Sequence, residues 1–335
     1  MKKFAILALV LVVAVTCAFG FAACGDPYEG YDYAVAIAQP MEHVALSQAR
    51  TAFIEELTAR IEADGKTVYF DYQNALGNIS DLGSILDNFV GRQPDIIYAI
   101  ATDAAQQAAQ KTLGTDIDVI FNAVTDPVLS NIVSSMTAPG GNVTGVSDMN
   151  PMDRQVELMQ MLMGGGTDFT VGVLYTNSEQ NSVTQRDTIA SICQSMGIEC
   201  ISRGIPDANE LPAALASLKN QGADILYLPT DNLLASIASN VHSTNVQDGI
   251  NLPIVCGEGG MNDACGVATL SVDYNYLGRL AAGIAYDILV GGKDPSEIAV
   301  LTQTEHLAYS VNEKVASDIG FTIPDEVKAL VTQAD

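Results

Sequence analysis

The sequence is short of positive charge. Fifteen Lys and Arg stand against forty Asp and Glu, which gives a net charge of −25 at pH 7 and a pI near 4.1. Nucleic acid and anionic lipid would both repel such a chain, so neither is expected as a partner. The acidic residues are scattered rather than in runs, which makes most of them solvated surface. Catalytic signatures are also lacking. There is no G-x-S-x-G, no H-E-x-x-H and no G-x-G-x-x-G after a strand. "GGG" at 164–166 precedes a strand and reads as a turn. No cofactor or metal is expected, and an enzyme survives as a rival class only because several acids in one cleft can mimic an acid/base pair.

What is present is a large apolar fraction. The chain has 335 residues, 48% of them hydrophobic and 16% charged, enough for about two domains with sizeable cores. At the N-terminus Lys2 and Lys3 precede the apolar run "FAILALVLVVAVTCAFGFAAC". A short positive region, an apolar stretch and small residues ahead of Cys24 make residues 1–23 a secretory signal rather than a spanning helix. "FAAC" resembles the bacterial lipobox, with Phe21 where Leu is usual. That resemblance implies a mature chain beginning at a lipidated Cys24, tethered outside the cytoplasmic membrane through a linker over 24–31.

Six cysteines are present; Cys17 leaves with the signal and Cys24 carries the lipid. The other four form two close pairs, Cys193 with Cys200 and Cys256 with Cys265. Neither spacing is a zinc pattern and no His lies beside either pair. Outside the cytoplasm disulfides persist, so two local bridges are expected, with four buried thiols as the alternative.

Along the mature chain short apolar strands alternate with amphipathic helices. "YAVAIAQ" (33–39) is followed by a helix from Val44 to Ala63, then "TVYFDYQ", "PDIIYAIA" and "DVIFNAV" mark further strands with helices between them. After "APGGNVTGVSD" a second run of the same kind begins. Strands separated by helices of ten or more residues make parallel sheets, so the fold class is α/β with two doubly wound lobes. Three strands end in Thr-Asp: "IATDAAQ", "NAVTDPV" and "YLPTDN". In such folds ligands sit beyond the carboxyl ends of the strands. Thr and Asp there cap the following helix, and the same positions can meet a ligand; residue types alone leave both readings open.

The segment 121–159, "FNAVTDPVLSNIVSSMTAPGGNVTGVSDMNPMDRQVELM", resembles the signature region of bacterial ABC-transporter substrate-binding lipoproteins associated with tryptophan and tyrosine transport. The resemblance continues through "FDYQNALGN", "AIATDAAQ", "GVLYTNSEQNSV", "YLPTDN" and "VDYNYLGRLAA", and so spans nearly all of the mature chain. It implies a type I periplasmic-binding fold, two α/β lobes joined by three crossovers that close on a small ligand. Lobe one would comprise 32–147 plus about 273–297, and lobe two 148–272 plus about 298–335. The implied partners are an aromatic amino acid, an ABC permease and its ATPase, for a chain expected to be monomeric. Branched-chain amino acids, nucleosides and sugars are the alternative ligands, and a ligand sensor of the same fold is the alternative role.

Carried over residue by residue, the implied site takes Glu42, His43, Thr102, Thr125, Asp126, Ser147 and Asp148 from lobe one and the first crossover. Asn177, Glu179, Asn181, Ser182, Asp231, Asn232 and Glu258 come from lobe two, and Asp273 and Tyr274 from the returning crossover. A zwitterionic ligand needs hydroxyl and amide donors for its carboxylate, which Thr102 and Thr125 can supply. Asp231 is expected to meet its ammonium, with Glu258 as the alternative, and Tyr175 and Tyr274 are candidates for an aromatic wall. Asp103 departs from the family, which has a small residue or Pro there. His242 and His306 read as surface or packing residues.

Overall fold

Each central strand is apolar along its whole length because helices cover both of its faces. In the computed structural model, which describes residues 27–303 and 307–331, β1 (Tyr33–Gln39) is buried at every position after the first, and β3 (Ile96–Ile100) and β4 (Asp118–Val124) follow the same pattern. The signal segment, Cys24 and His306 lie outside the described residues. With β2 (Val68–Asn74) and β5 (Val143–Ser147) these strands form a parallel sheet in the order β2-β1-β3-β4-β5. The second sheet repeats the plan with β6 (Thr170–Thr176), β7 (Glu199–Ile205), β8 (Ile225–Leu228), β9 (Ile254–Cys256) and β10 (Ala268–Ser271), in the order β7-β6-β8-β9-β10. Both sheets end on a late strand. Parallel β11 (Leu301–Thr302) joins β5, and antiparallel β12 (Ala308–Val311) joins β10.

The pairing of β11 with β5 corrects the expected boundary near residue 298. Leu301 aligns with Val146 and Thr302 with Ser147, so the chain stays in lobe one through residue 302 and enters the second sheet only at β12. Helices sandwich each sheet. In lobe one, α1 (Val44–Ala63) covers one face, and α2 (Ile79–Arg92) and α3 (Thr102–Lys111) cover the other. In lobe two, α4 (Met152–Leu162) and α5 (Gln180–Met196) share one face. The other carries α6 (Leu211–Asn220), α7 (Asn232–Ser236), α8 (Ala238–Gln247) and α9 (Gly259–Cys265).

One helix returns. α10 (Tyr274–Leu289) leaves lobe two and packs Leu277, Ala281, Ile284 and Ala285 into the core of lobe one beside Phe53 and Leu57 of α1. There Phe53 stacks on Tyr98 with ring centroids 3.8 Å apart, and the buried Tyr98 hydroxyl is satisfied by Asn122 Nδ2 at 2.7 Å. The chain therefore crosses between lobes after β5, after β10 and again between β11 and β12. Among the described residues no helix is long and apolar enough to cross a membrane.

The four described cysteines are free thiols in this structure, so the bridges expected between Cys193 and Cys200 and between Cys256 and Cys265 are not formed here. The Cys256 and Cys265 sulfurs approach to 3.9 Å, well beyond the roughly 2.05 Å of a disulfide, and the Cys265 thiol donates to Met261 O.

The α1–α10 contact depends on Gly278, where an added Cβ would lie 2.4 Å from Ala49 O and 3.0 Å from Ala52 Cβ. Gly278→Val should therefore lower folding stability by about 1–3 kcal/mol. Urea unfolding monitored by circular dichroism checks this; an unchanged midpoint would mean α10 does not seat on α1 as described.

Candidate functional site

A doubly wound sheet opens a crevice where its strand order reverses, beyond the carboxyl ends of the strands. Here the reversals fall at β1/β3 and at β6/β8, and the two crevices face each other. β1 runs out into Gln39–His43, β3 into Ala101–Thr102, β6 into Thr176–Glu179 and β8 into Thr230–Asn232. Ala101 holds φ 71° and Ala123 φ 56°, so two strand ends of lobe one adopt backbone that alanine rarely accepts.

The lobes meet through direct bonds at this level. Thr125 Oγ1 lies 3.3 Å from Thr230 Oγ1 and accepts from Gln185 Nε2 at 3.1 Å. His43 Nε2 is 3.2 Å from Asn232 Oδ1, and His43 Nδ1 is 3.6 Å from Glu258 Oε1. Asn232 uses its Nδ2 on Glu179 (2.8 Å), so its Oδ1 accepts and His43 carries its proton on Nε2. The remaining space beside these groups is a cavity of about 10 Å³ lined by His43, Leu46, Ala123, Thr125, Asp148, Asn181, Thr230, Asn232, Glu258 and Tyr274. A second interlobe cavity of about 370 Å³ adjoins it across Glu179, with Pro40, Met41, Ile79 and Leu82 of lobe one facing Pro206 and Leu233 of lobe two. Neither cavity is lined by Lys or Arg.

Four carboxyl groups are buried here, and they are not equivalent. Asp231 accepts from Thr176 N (2.7 Å), Thr176 Oγ1 (2.8 Å), Ser182 Oγ (2.6 Å) and Leu234 N (2.9 Å). With four donors from its own lobe it is a structural pin that caps α7, which corrects its expected role at a ligand ammonium. Glu179 likewise accepts from Asn181, Asn232 (side chain and backbone) and Leu233 N, while burial and the charge of Asp231 push its pKa up to about 8. Asp148 receives Tyr274 OH at 2.8 Å and Thr125 Oγ1 at 3.2 Å, and burial raises it. Glu258 is 2% exposed, and among the described residues its one close side-chain partner is His43. Burial first, then Asp148, Asp231 and Glu179, push its carboxyl up to about 8. Burial also pushes His43 down to about 4, so at neutral pH the His43–Glu258 contact joins two neutral groups and is not an ion pair.

Other expected residues fall outside the convergence. Glu42 is half-exposed on the rim and organises Gln39, Ser47, Arg50, Tyr72 and Asn74 within lobe one. Asn177 is exposed and turns toward Gly204, away from both cavities. Asp273 caps α10 by accepting from Asn275 N, and Asp126 closes a turn by accepting from Val128 N and Leu129 N. Ser147 and Ser182 act from behind: Ser147 Oγ donates to Thr125 O, and Ser182 holds Asp231. Capping is absent at the remaining Thr-Asp pair, since Thr102 Oγ1 is buried without a hydrogen-bond partner and α3 has no side-chain cap. Tyr175 packs on its own lobe under Arg186, whose guanidinium lies 4.7 Å from its ring centre. His242 bonds Asp318 at the surface of lobe two.

Two residues were not foreseen. Thr230, passed over in favour of its neighbour Asp231, is the one that meets Thr125. Gln185 sits one helical turn after Asn181 on the buried face of α5; it accepts from Thr230 N and Tyr227 OH and donates to the hydroxyls of Thr125 and Thr230. A polar i, i+4 pair continued at the same spacing by Ile189 and Cys193 was the available signal.

Two lobes of repeated topology, three crossovers and a polar constellation between facing strand ends define a type I periplasmic-binding protein. The chain belongs to the ABC transporter substrate binding protein family, whose pattern matches residues 34–334. It is 36% identical over 274 residues to the tyrosine-binding protein of Clostridioides difficile strain R20291, covering 81% of this chain and 76% of that protein. A Streptococcus pneumoniae structure in complex with L-Trp superposes with a TM-score of 0.80 at 30% identity, over 89% of this chain and 98% of the other. The ligand-free, open structure of a Clostridium difficile substrate-binding protein with adhesive properties gives 0.66 at 32% identity, over 87% and 96%. At near-equal identity, the chain superposes more closely on the Trp complex than on the open structure.

Because the Glu258 carboxyl in the folded chain titrates above its ordinary value of 4.5, the stability tied to it is full at low pH and is lost as pH rises from about 4.5 through about 8. Glu258→Gln removes that loss. The variant's melting temperature should exceed the parent's by a margin that grows from pH 5 to pH 8; a constant margin would place Glu258 in solvent.

Proposed function

We propose that the chain is an extracytoplasmic lipoprotein that captures an aromatic amino acid between its lobes and delivers it to an ABC importer. The observation that carries this reading is the pairing of chemistries in one crevice. A buried, under-satisfied acid (Glu258) faces hydroxyl and amide groups of Thr125, Thr230, Asn181 and Asn232, and a cavity of about 370 Å³ with an apolar side of Pro40, Met41, Ile79, Leu82, Pro206 and Leu233 adjoins them. The acid takes an ammonium, the hydroxyls and amides take a carboxylate, and the cavity takes an apolar side chain. The absence of Lys and Arg from the lining disfavours an anionic ligand. The names of the tyrosine-binding relative and of the Trp complex agree with this division.

Admission needs hinge opening, because about 10 Å³ beside the polar groups holds no amino-acid head. The lipid anchor rests on Cys24 and the small residues before it, and transport rather than catalysis rests on family membership. Mass spectrometry of membrane-extracted protein checks the anchor: a diacylglyceryl-modified Cys24 at the mature N-terminus is expected, and an unmodified one would make the chain freely secreted.

Calorimetry on unfolded and refolded protein, against amino acids, sugars and nucleosides, tests the ligand class. The chain has no Trp, so the fluorescence of L-Trp itself also reports its capture without background. Binding of another class while no aromatic amino acid binds would end this reading. Thr125→Val and Glu258→Ala should each weaken binding about 10- to 150-fold, the worth of one hydrogen bond to a charged group. Asp231→Ala should instead lower the melting temperature, since it orphans the buried N–H groups of Thr176 and Leu234.

A further inference from the structure

We propose that Asp103 is a specificity-determining acceptor for a hydroxyl at the far end of the ligand's ring, selecting a p-hydroxyphenyl side chain over an unsubstituted phenyl. The proposal rests on the aromatic-amino-acid reading above. Asp103 is on the first turn of α3 and lines the same 370 Å³ cavity as Met41, Ile79, Leu82 and Leu233. Its carboxylate makes no hydrogen bond or ion pair with any described residue. Lys, Arg and His are all absent from the lining, so no side-chain cation there offsets the partial burial that raises its pKa, and only the positive end of α3 acts against it. Nor does it cap its helix, because α3 begins after Ala101 without a side-chain cap. A part-buried acid beside Met41, Ile79, Leu82 and Leu233, sharing its cavity with the acids Glu179 and Asp207 and bonded to no side chain, is a cost to the folded chain that a donor entering the cavity repays.

The cavity is oriented for that role. Glu179 belongs both to this lining and to the hydrogen-bonded cluster with Asn181 and Asn232, so the polar recognition end and the larger cavity share one wall. A ligand whose ammonium and carboxylate lie at the polar end projects its side chain past Glu179 toward Asp103. A phenolic O–H arriving there donates to the carboxylate. An unsubstituted ring strips water from the same carboxylate and gives nothing back. Discrimination therefore comes as much from rejecting phenylalanine as from holding tyrosine.

The test is calorimetric titration of refolded parent, Asp103→Ala and Asp103→Asn with L-tyrosine, L-phenylalanine and L-lysine. The parent should favour tyrosine over phenylalanine by about 10-fold or more. Asp103→Ala should bring that ratio close to one by moving the two affinities in opposite directions, tyrosine weaker and phenylalanine tighter. A purely structural role would weaken both together. Asp103→Asn, which keeps an acceptor oxygen, should retain part of the preference. An unchanged ratio in Asp103→Ala, or parallel loss of both ligands, overturns the proposal while leaving the aromatic-ligand reading standing. Preference of the parent for lysine overturns it by assigning the carboxylate to a cation. Failure of the parent to bind either aromatic amino acid overturns both.

Discussion

The constraint on which the rest of this structure depends is that four carboxyl groups are buried between two lobes with no Lys or Arg among them. Removing a carboxylate from water costs several kcal/mol unless donors, a cation or a proton compensates. The chain uses two of these solutions side by side. Asp231 and Glu179 are surrounded by N–H and O–H donors from lobe two and thereby hold the start of α7 and the β6 turn in place. Glu258 has almost no donors and is left to a proton or to a positive group from outside. The first pair builds the jaw, and the last is what the jaw presents.

The fold supplies the geometry at little expense of specialised sequence. Both sheets adopt the 2-1-3-4-5 order, so both have a reversal point, and the crossovers set those points face to face. Thr125 and Thr230 end up 3.3 Å apart although 105 residues separate them. Each is the Thr of a Thr-Asp pair just beyond a buried strand, Thr125 directly after β4 and Thr230 separated from the end of β8 by Pro229 alone. Ser147, Ser182 and Gln185 then fix the hydroxyls and carboxyls by bonds from behind, which converts a junction of loops into a rigid surface.

Much of this was legible in the sequence. Strand and helix identities follow from apolar runs bounded by turn residues, and α1 begins and ends at the residues its pattern predicts, Val44 and Ala63. Facing strand ends were legible too, because Thr-Asp recurs there. What Thr-Asp does was not. The same dipeptide caps a helix at 231, closes a turn at 126 and does neither at 102, since the outcome depends on backbone angles set by neighbouring strands. Asp231 was favoured for the ligand on residue type, but its four donors come from β6, α5 and its own turn, and no local spacing reveals them. The two-residue β11 was missed for a similar reason. Its place in lobe one comes from edge pairing to β5, a contact across more than 150 residues.

The jaw-to-jaw bonds of Thr125, Thr230, Gln185, His43 and Asn232 have a thermodynamic side. They make the protein its own competitor, because a ligand displaces these bonds before it makes any. Measured affinity is then the intrinsic affinity scaled by the fraction of molecules whose lobes stand apart. That factor is the same for every ligand and cancels from any ratio of affinities. Absolute dissociation constants therefore report the strength of self-closure as well as contacts, whereas the ranking of one ligand against another reports contacts alone.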